Sequence, residues 1–408
     1  MSIMISLSVI EVILHVVSFA APKKYYSMLG ISQAPIFVKD NRLVLRPNPD
    51  FTEHDERGFR NESAAGPIAI VVLGDSQTYG TGVRREEAWP KQLGKLDNEK
   101  VYNMACGGWG PTQSLLLFDD AIALKPKLII EAFYSGNDMY DSFSNVYYDG
   151  QLPELKTKDA KESGRIREAE QKETVHDKVM RLYKQGGATD AFAVSQVGPA
   201  SWSMKIRKFL GDHIRLYQLL AVLKQNLRAD NSNQTGWESD KRLAETERDR
   251  DYYQVFESEK VKTIFTPELR LVALNAADSR IAEGHRIGLE AIRVMSQKAR
   301  VAGIQFAVLL VPTKEMVFKD AAYAAVAPRS KSYQALLENE ELLRQKTISF
   351  LAREDIKTID ALPALAARVK DGAQPYPWSS DGHPNPEGHR AIAEVALAEL
   401  KRQNLWSR

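Results

Sequence analysis

The stretch Ile68 to Val83, IAIVVLGDSQTYGTGV, limits the possible folds of this chain more than any other. It runs through β-branched and aliphatic residues to Leu73 and then breaks at Gly74-Asp75-Ser76. A short, continuous apolar run cut off by a glycine turn is the pattern of a strand buried in a parallel sheet. Such a sheet displays the residues that follow its strands along its carboxyl edge. Ser76 stands at that point. A serine there can be a cap, a turn residue or a nucleophile. What separates these roles is whether the rest of the chain supplies a base and donors for an oxyanion.

Strand, glycine turn and helix alternate on either side of a long interruption. Glu86 to Leu96 carries Trp89 and Leu93 four apart on one helical face. Lys100 to Met104 is a strand, Ala105 to Gly110 a glycine-rich turn, and Pro111 opens a helix over Thr112 to Leu124. Lys127 to Phe133 is a second aliphatic strand, ending at Tyr134-Ser135-Gly136-Asn137-Asp138. The alternation resumes with helix Ile281 to Ala302 and strand Gln305 to Val311, which leads into Pro312-Thr313-Lys314-Glu315. Helix Ser332 to Arg353, strand Lys357 to Ile359 and a closing helix Glu387 to Arg402 complete it, with Asn385 as N-cap and Pro386 at the first helical position. This order predicts an α/β fold, a three-layer α/β/α sandwich around a central parallel sheet.

The interruption spans residues 143 to 280, which are charged and read as a large, mainly helical insertion without a clear strand, a possible lid or acceptor platform. Within it, Lys156 to Gln185 reads as a solvated helix and Arg228 to Trp237 as a loop. Trp202 to Leu227 is amphipathic and basic, and its apolar stripe suits packing on the core, with a membrane or acidic ligand as the sharper alternative. The expected organisation is therefore an N-terminal segment over 1–24, a lead-in over 25–65, the sheet domain over 66–142 and 281–408, and the insertion over 143–280. The lead-in holds one short strand within Ile36 to Val44, and Gly58-Phe59-Arg60-Asn61 as a loop on the sheet edge.

Composition excludes some partners. Lys and Arg number 55 against 53 Asp and Glu, a net charge of +2, which gives no electrostatic footprint for nucleic acid. One cysteine, Cys106, leaves neither a disulfide framework nor a thiolate metal site. The first stretch, Ile3 to Ala21, is nearly all apolar, with Glu11 and His15 spaced to pair on one helical face and Lys23-Lys24 following. It fits a signal peptide, with Ser18-Phe19-Ala20 as a small-x-small site, or a marginal membrane span. The expectation is an N-terminal anchor or uncleaved signal that holds the protein at a membrane, with the remainder exported to the periplasmic side.

Four turns then offer chemistry at one sheet edge: Ser76, Gly108, Asn137, and the loop holding Asp381 and His383. Imidazole titrates near neutrality, so His383 suits the base that Ser76 needs. Asp381 lies two residues before it in a glycine turn and can hold one ring nitrogen while the other faces Ser76. Gly108 offers an unobstructed N–H and Asn137 an amide; with the Ser76 N–H they make three donors for a tetrahedral oxyanion. Each residue alone has an equally good structural explanation, Asn137 as a turn cap among them. His389 competes for the base position but lies inside the closing helix.

The ordered set, Gly74-Asp75-Ser76, Asn103 through Gly108, Gly136-Asn137-Asp138 and an Asp/His pair before the last helix, resembles the SGNH or GDSL superfamily of hydrolases. The resemblance covers roughly residues 66 to 142 and 281 to 402. It implies a flavodoxin-like SGNH fold and ester hydrolysis or acyl transfer without metal or other cofactor. By resemblance Ser76 is the nucleophile, His383 the base and Asp381 its partner. The Ser76 N–H, Gly108 and Asn137 are the oxyanion donors. Two departures stand out. Gln77 replaces the usual Leu, at a position without a mechanistic role. Ser380 occupies the usual place of the acid, three before His383, whereas the spacing of Asp381 and the Pro312-Thr313-Lys314-Glu315 run are similar to alginate acetyltransferase-like proteins. By analogy, the expected substrate is an O-acetyl or other acyl ester on a carbohydrate or envelope polymer. An O-acyltransferase acting on a polysaccharide, and a non-catalytic binding or assembly protein, are the alternatives.

Overall fold

Two apolar strands, Ile70–Leu73 and Leu128–Tyr134, are buried along their whole length, as strands are when helices cover both faces of a parallel sheet. The structure is a computed structural model and describes residues 2–21, 34–185, 210, 213–246 and 251–406. From the N-terminus the elements are α1 (Ser2–Ala20), a hairpin of β1 (Phe37–Asp40) and β2 (Val44–Pro47), then β3 (Ile70–Leu73), the one-turn α2 (Ser76–Tyr79), α3 (Trp89–Asp97) and β4 (Val101–Asn103). Next come α4 (Pro111–Ala123), β5 (Leu128–Tyr134), α5 (Asp138–Tyr147), α6 (Ala160–Lys172), α7 (Val175–Gln185) and α8 (Arg215–Thr246). A second hairpin of β6 (Gln254–Glu257) and β7 (Lys262–Phe265) leads to α9 (Pro267–Leu274), α10 (Ser279–Val301) and β8 (Gln305–Val311). The chain ends with α11 (Lys314–Val317), α12 (Lys319–Val326), α13 (Lys331–Arg353), β9 (Lys357–Asp360), α14 (Leu362–Lys370) and α15 (Pro386–Arg402).

The central sheet has the order β4-β3-β5-β8-β9, and every pairing in it is parallel. Alternate residues of each strand enter opposite layers. Val71, Leu73, Ile129 and Phe133 pack with Phe118, Phe143 and Ile292 of α4, α5 and α10. Ile70, Val72 and Ile130 pack on the other face with Trp89, Phe318, Tyr333 and Ile392. The three-layer sandwich expected from the sequence is the fold. Its first strand, β3, lies between the second and the third. The strand order therefore reverses at β3 and β5, where sheets of this order bind ligands. Ser76 follows β3 and Asn137 follows β5.

The 143–280 segment differs from expectation. It contains the antiparallel hairpin β6–β7, two four-residue strands closed by the Ser258 N–H to Val261 carbonyl bond, too short to show a period among charged neighbours. Lys156 to Gln185 forms two helices, α6 and α7, and Arg228 to Trp237 lies within α8 rather than in a loop. Asn and Ser cost only about 0.5 kcal/mol each in a helix, too little to break one. The proposed helix from Trp202 lies outside the described residues through Phe209. Side chains of the segment join both cores: Ile166, Val175, Leu182, Trp237, Tyr252 and Ile264 on one face, and Phe256 and Phe265 on the other. The lead-in likewise forms a hairpin, β1–β2, in place of a single strand.

Glu11 and His15 of α1 do pair, at 3.0 Å. The Glu11 carboxylate also accepts the Arg215 and Leu216 N–H groups, at 2.7 and 2.8 Å, satisfying orphan donors at the start of α8. Among the described residues no helix is long and apolar enough to cross a membrane.

Candidate active site

The turn after β3 is built around Gly74, whose φ of +145° no side chain adopts comfortably. A Cβ there would stand 3.0 Å from the Ala132 carbonyl oxygen and 2.8 Å from Thr78 Oγ1, so glycine lets the turn lie directly against β5. Asp75 caps α2, its Oδ1 accepting the Gln77 N–H at 2.9 Å. Ser76 is thereby the first residue of a helix, and its own N–H is one of that helix's orphan donors. Arg60, buried in the lead-in, secures the loop that follows. Its guanidinium donates to the carbonyls of Tyr79, Gly80 and Val83 at 3.2, 2.6 and 2.8 Å, and pairs with Glu53. The Gly58 to Asn61 loop thus supports the serine turn and does more than pack on an edge.

The loop before α15 approaches from the other side. His383 Nε2 lies 2.9 Å from Ser76 Oγ, and its Nδ1 lies 2.6 Å from Asp381 Oδ1. Asp381 Oδ1 also accepts the His383 backbone N–H at 3.0 Å, which fixes the pair as a small ring. Burial pushes the Asp381 carboxyl up, but the hydrogen bonds and charge of His383, with Lys314 nearby, outweigh it and hold the pKa at about 2. Ser380 has no hydrogen-bond partner among the described residues and does not reach the imidazole. His389 is fully buried in α15 and faces Trp89 N–H through Nδ1 at 3.3 Å. Burial lowers its pKa to about 3, so it stays neutral as a helix-capping acceptor.

The oxyanion candidates follow adjacent strands. The Cys106 N–H donates to the Gly74 carbonyl at 3.2 Å, drawing the glycine turn after β4 against the serine turn. Gly108 has φ +75°, a left-handed conformation that favours glycine, is exposed, and its N–H has no partner among the described residues. Asn137 is half-buried, and its Nδ2 donates one hydrogen to Asp141 Oδ2 at 2.5 Å, leaving a second hydrogen on the same nitrogen. Burial and the charge of Asp75 push the Asp141 carboxyl well up.

Sequence reasoning missed several contacts. Gln77 Nε2 donates to the Gly382 carbonyl at 3.4 Å, so the residue in place of Leu bridges the serine turn and the base loop. Asp141 orients Asn137, and Lys314 lies beneath the base loop. The signals available were Gln77 in the first block, an acid four residues after Asn137, and a lysine three residues past the end of a core strand. Among the described residues no group of three or more His, Cys, Asp or Glu could hold a metal ion.

No family model and no curated protein matches the chain. Among solved structures it is similar to a GDSL-like lipase from Bacteroides thetaiotaomicron VPI-5482, at 10% identity over 83% of this chain and 89% of that one, with a TM-score of 0.33. It is also similar to an acetyl xylan esterase, at 10% identity over 81% of this chain and 98% of that one, TM-score 0.34. A variant of a Geobacillus acetyl-xylooligosaccharide esterase matches at 9% identity over 85% and 99% of the two chains, TM-score 0.34. These likenesses are of low identity, and the chemistry below rests on this chain's own distances.

Proposed function

We propose that the protein is a serine esterase of the SGNH type. The observation that carries this is the Asp381–His383–Ser76 series, with contacts of 2.6 and 2.9 Å that link a carboxylate, an imidazole and a hydroxyl. His383 Nε2 takes the Ser76 proton as Oγ attacks an acyl carbonyl. The carbonyl oxygen becomes an oxyanion, met by the N–H groups of Ser76 and Gly108 and by Asn137 Nδ2. Collapse breaks the ester bond, the leaving alkoxide takes the proton from His383, and an acyl-serine remains. Water, deprotonated by the same imidazole, then attacks the acyl carbon; the acyl–Oγ bond breaks, Ser76 Oγ takes the proton back from His383, and the acid leaves. Asp381 keeps the imidazole oriented and stabilises its protonated form.

The substrate we propose is an acyl ester on a carbohydrate or envelope polymer, with the protein exported and held at a membrane by its N-terminal segment. The exposed side chains of Ile5, Val9, Val12, Val16 and Phe19 on α1 support the anchor. A reporter fused after Lys24 and active in the cytoplasm would remove the export proposal. The hydrolase is tested with p-nitrophenyl acetate, with and without a sugar acceptor, beside Ser76→Ala. Release that requires Ser76 and no acceptor is expected. Release only with transfer to the sugar would make the protein a transferase, and no release and no label on Ser76 would leave a binding protein.

A further inference from the structure

The turn after β8, Pro312-Thr313-Lys314-Glu315, lies outside the catalytic series, yet each of its last three side chains reaches a different segment. Thr313 donates through its N–H and Oγ1 to Glu340 of α13, at 2.8 and 2.5 Å. Glu315 accepts the Thr266 N–H at 3.1 Å. Lys314 is only 1% exposed, and its Nζ donates to the carbonyls of Ile264, Ser379 and Asp381, at 2.8, 2.9 and 2.9 Å.

We propose that Lys314 is a positioning residue for the acid–base pair, its ammonium held by three carbonyls and fixing the loop that carries Asp381 and His383. This rests on the catalytic assignment above. An ammonium has three N–H donors and no acceptor, and three carbonyls account for all of them. A neutral amine would turn a lone pair toward one carbonyl. Burying a cation is costly unless it is fully bonded, and an apolar side chain of similar volume would fill the space without that cost. What the lysine adds is directional. Two of its acceptors are the main chain of Ser379 and of Asp381 itself, and the third is β7, which also meets this loop through Thr263 Oγ1 to the Pro377 and Ser379 carbonyls. The same main chain sets where Asp381 Oδ1 meets His383 Nδ1. Burial lowers the Lys314 pKa to about 8; the charges of Glu315 and Asp381 oppose this and that of Arg270 adds to it, so the ammonium predominates below about pH 8.

The test compares Lys314→Met, Lys314→Gln and the unaltered protein in p-nitrophenyl acetate hydrolysis, with thermal melts to show folding. A misplacement of about 1 Å costs on the order of 100-fold in rate, so kcat of the folded Met variant should fall about that far while KM changes little. The Gln variant keeps two donors and should lie between. The downfield proton signal of His383 Nδ1–H should be sharp in the unaltered protein and weakened in the Met variant. A folded variant with unaltered kcat and an unaltered Nδ1–H signal would overturn the proposal. If neither variant folds, the unaltered protein decides. Slowly exchanging Lys314 ammonium protons support the brace, and rapid exchange overturns it. If the unaltered protein hydrolyses nothing and Ser76 takes no label, the hydrolase assignment fails separately, and the brace is judged on the Nδ1–H and ammonium signals alone.

Discussion

A serine hydroxyl attacks only when its proton has a destination, and in the proposed mechanism the destination for Ser76 is His383 Nε2, 2.9 Å away. The weight then falls on what orients the imidazole. Asp381 contacts Nδ1 and Ser380 does not, so Asp381→Asn should lower kcat by about 10,000-fold and Ser380→Ala should leave it within a factor of about two; steady-state kinetics on both variants checks this. The Asp381 carboxylate, held at about 2, stays ionised across the working range, so acid loss of activity above about pH 4 should not arise from it. In the proposed mechanism Asn137 belongs to the oxyanion side. Asn137→Ala should lower kcat about 100- to 1000-fold with little change in KM, and equal losses in binding would place Asn137 elsewhere in the mechanism. His389 is the contrasting case. An imidazole whose pKa burial lowers to about 3, and that faces a backbone N–H, is built to accept, so its loss should appear in stability and not in kcat.

At the scale of elements, β5 carries both the turn with Asn137 and a buried acid within its run. Glu131 is fully buried. Neither oxygen has a well-formed hydrogen bond, though the Ser114 hydroxyl lies near enough to ease its charge. Burial pushes its pKa up to about 8, whereas an unfolded chain ionises at about 4.3. A raised pKa in the folded state gives stability that is fully present below the unfolded value and lost as pH rises. Between about pH 4 and pH 8 the unfolded chain gives up a proton that the folded protein keeps. Glu131→Gln should therefore flatten the fall in melting temperature across that range and melt higher at pH 8, by roughly 2–4 °C for each kcal/mol regained. An unchanged pH slope would mean that Glu131 does not titrate with folding. Elements like β5 were legible in the sequence because nearly continuous apolar runs and glycine turns are strong local signals; the Ser76, Gly108 and Asn137 positions followed from strand ends, and His383 from the loop before the closing helix. The hairpin β6–β7, the helix through Arg228 to Trp237, the Gln77 bridge and the Lys314 brace were not. The two hairpin strands are too short to show a period, and the Gln77 and Lys314 contacts join residues 305 and 50 to 67 apart in the chain, which no local pattern records.

At the scale of the molecule, Ser76 and His383 stand 307 residues apart, and the chain between them includes the whole 143–280 segment. Set against a lid or acceptor platform, its packing points to an integral part of the fold. Ile166, Val175, Leu182, Trp237, Tyr252, Phe256, Ile264 and Phe265 are all buried in the two cores. β7 supplies the Ile264 carbonyl to Lys314, and Arg280, at the start of α10, reaches back to Glu170 of α6 at 3.0 Å. A large apolar side chain is worth roughly 1.5–3 kcal/mol when buried, so eight of them contribute about 12–24 kcal/mol, as much as or more than the ~5–15 kcal/mol by which an ordinary protein is stable. Replacing residues 143–280 by a short linker should therefore leave no soluble, folded protein by circular dichroism and gel filtration. A monodisperse, active deletion variant would instead make the segment an appendage and return specificity to the loops of the sheet edge.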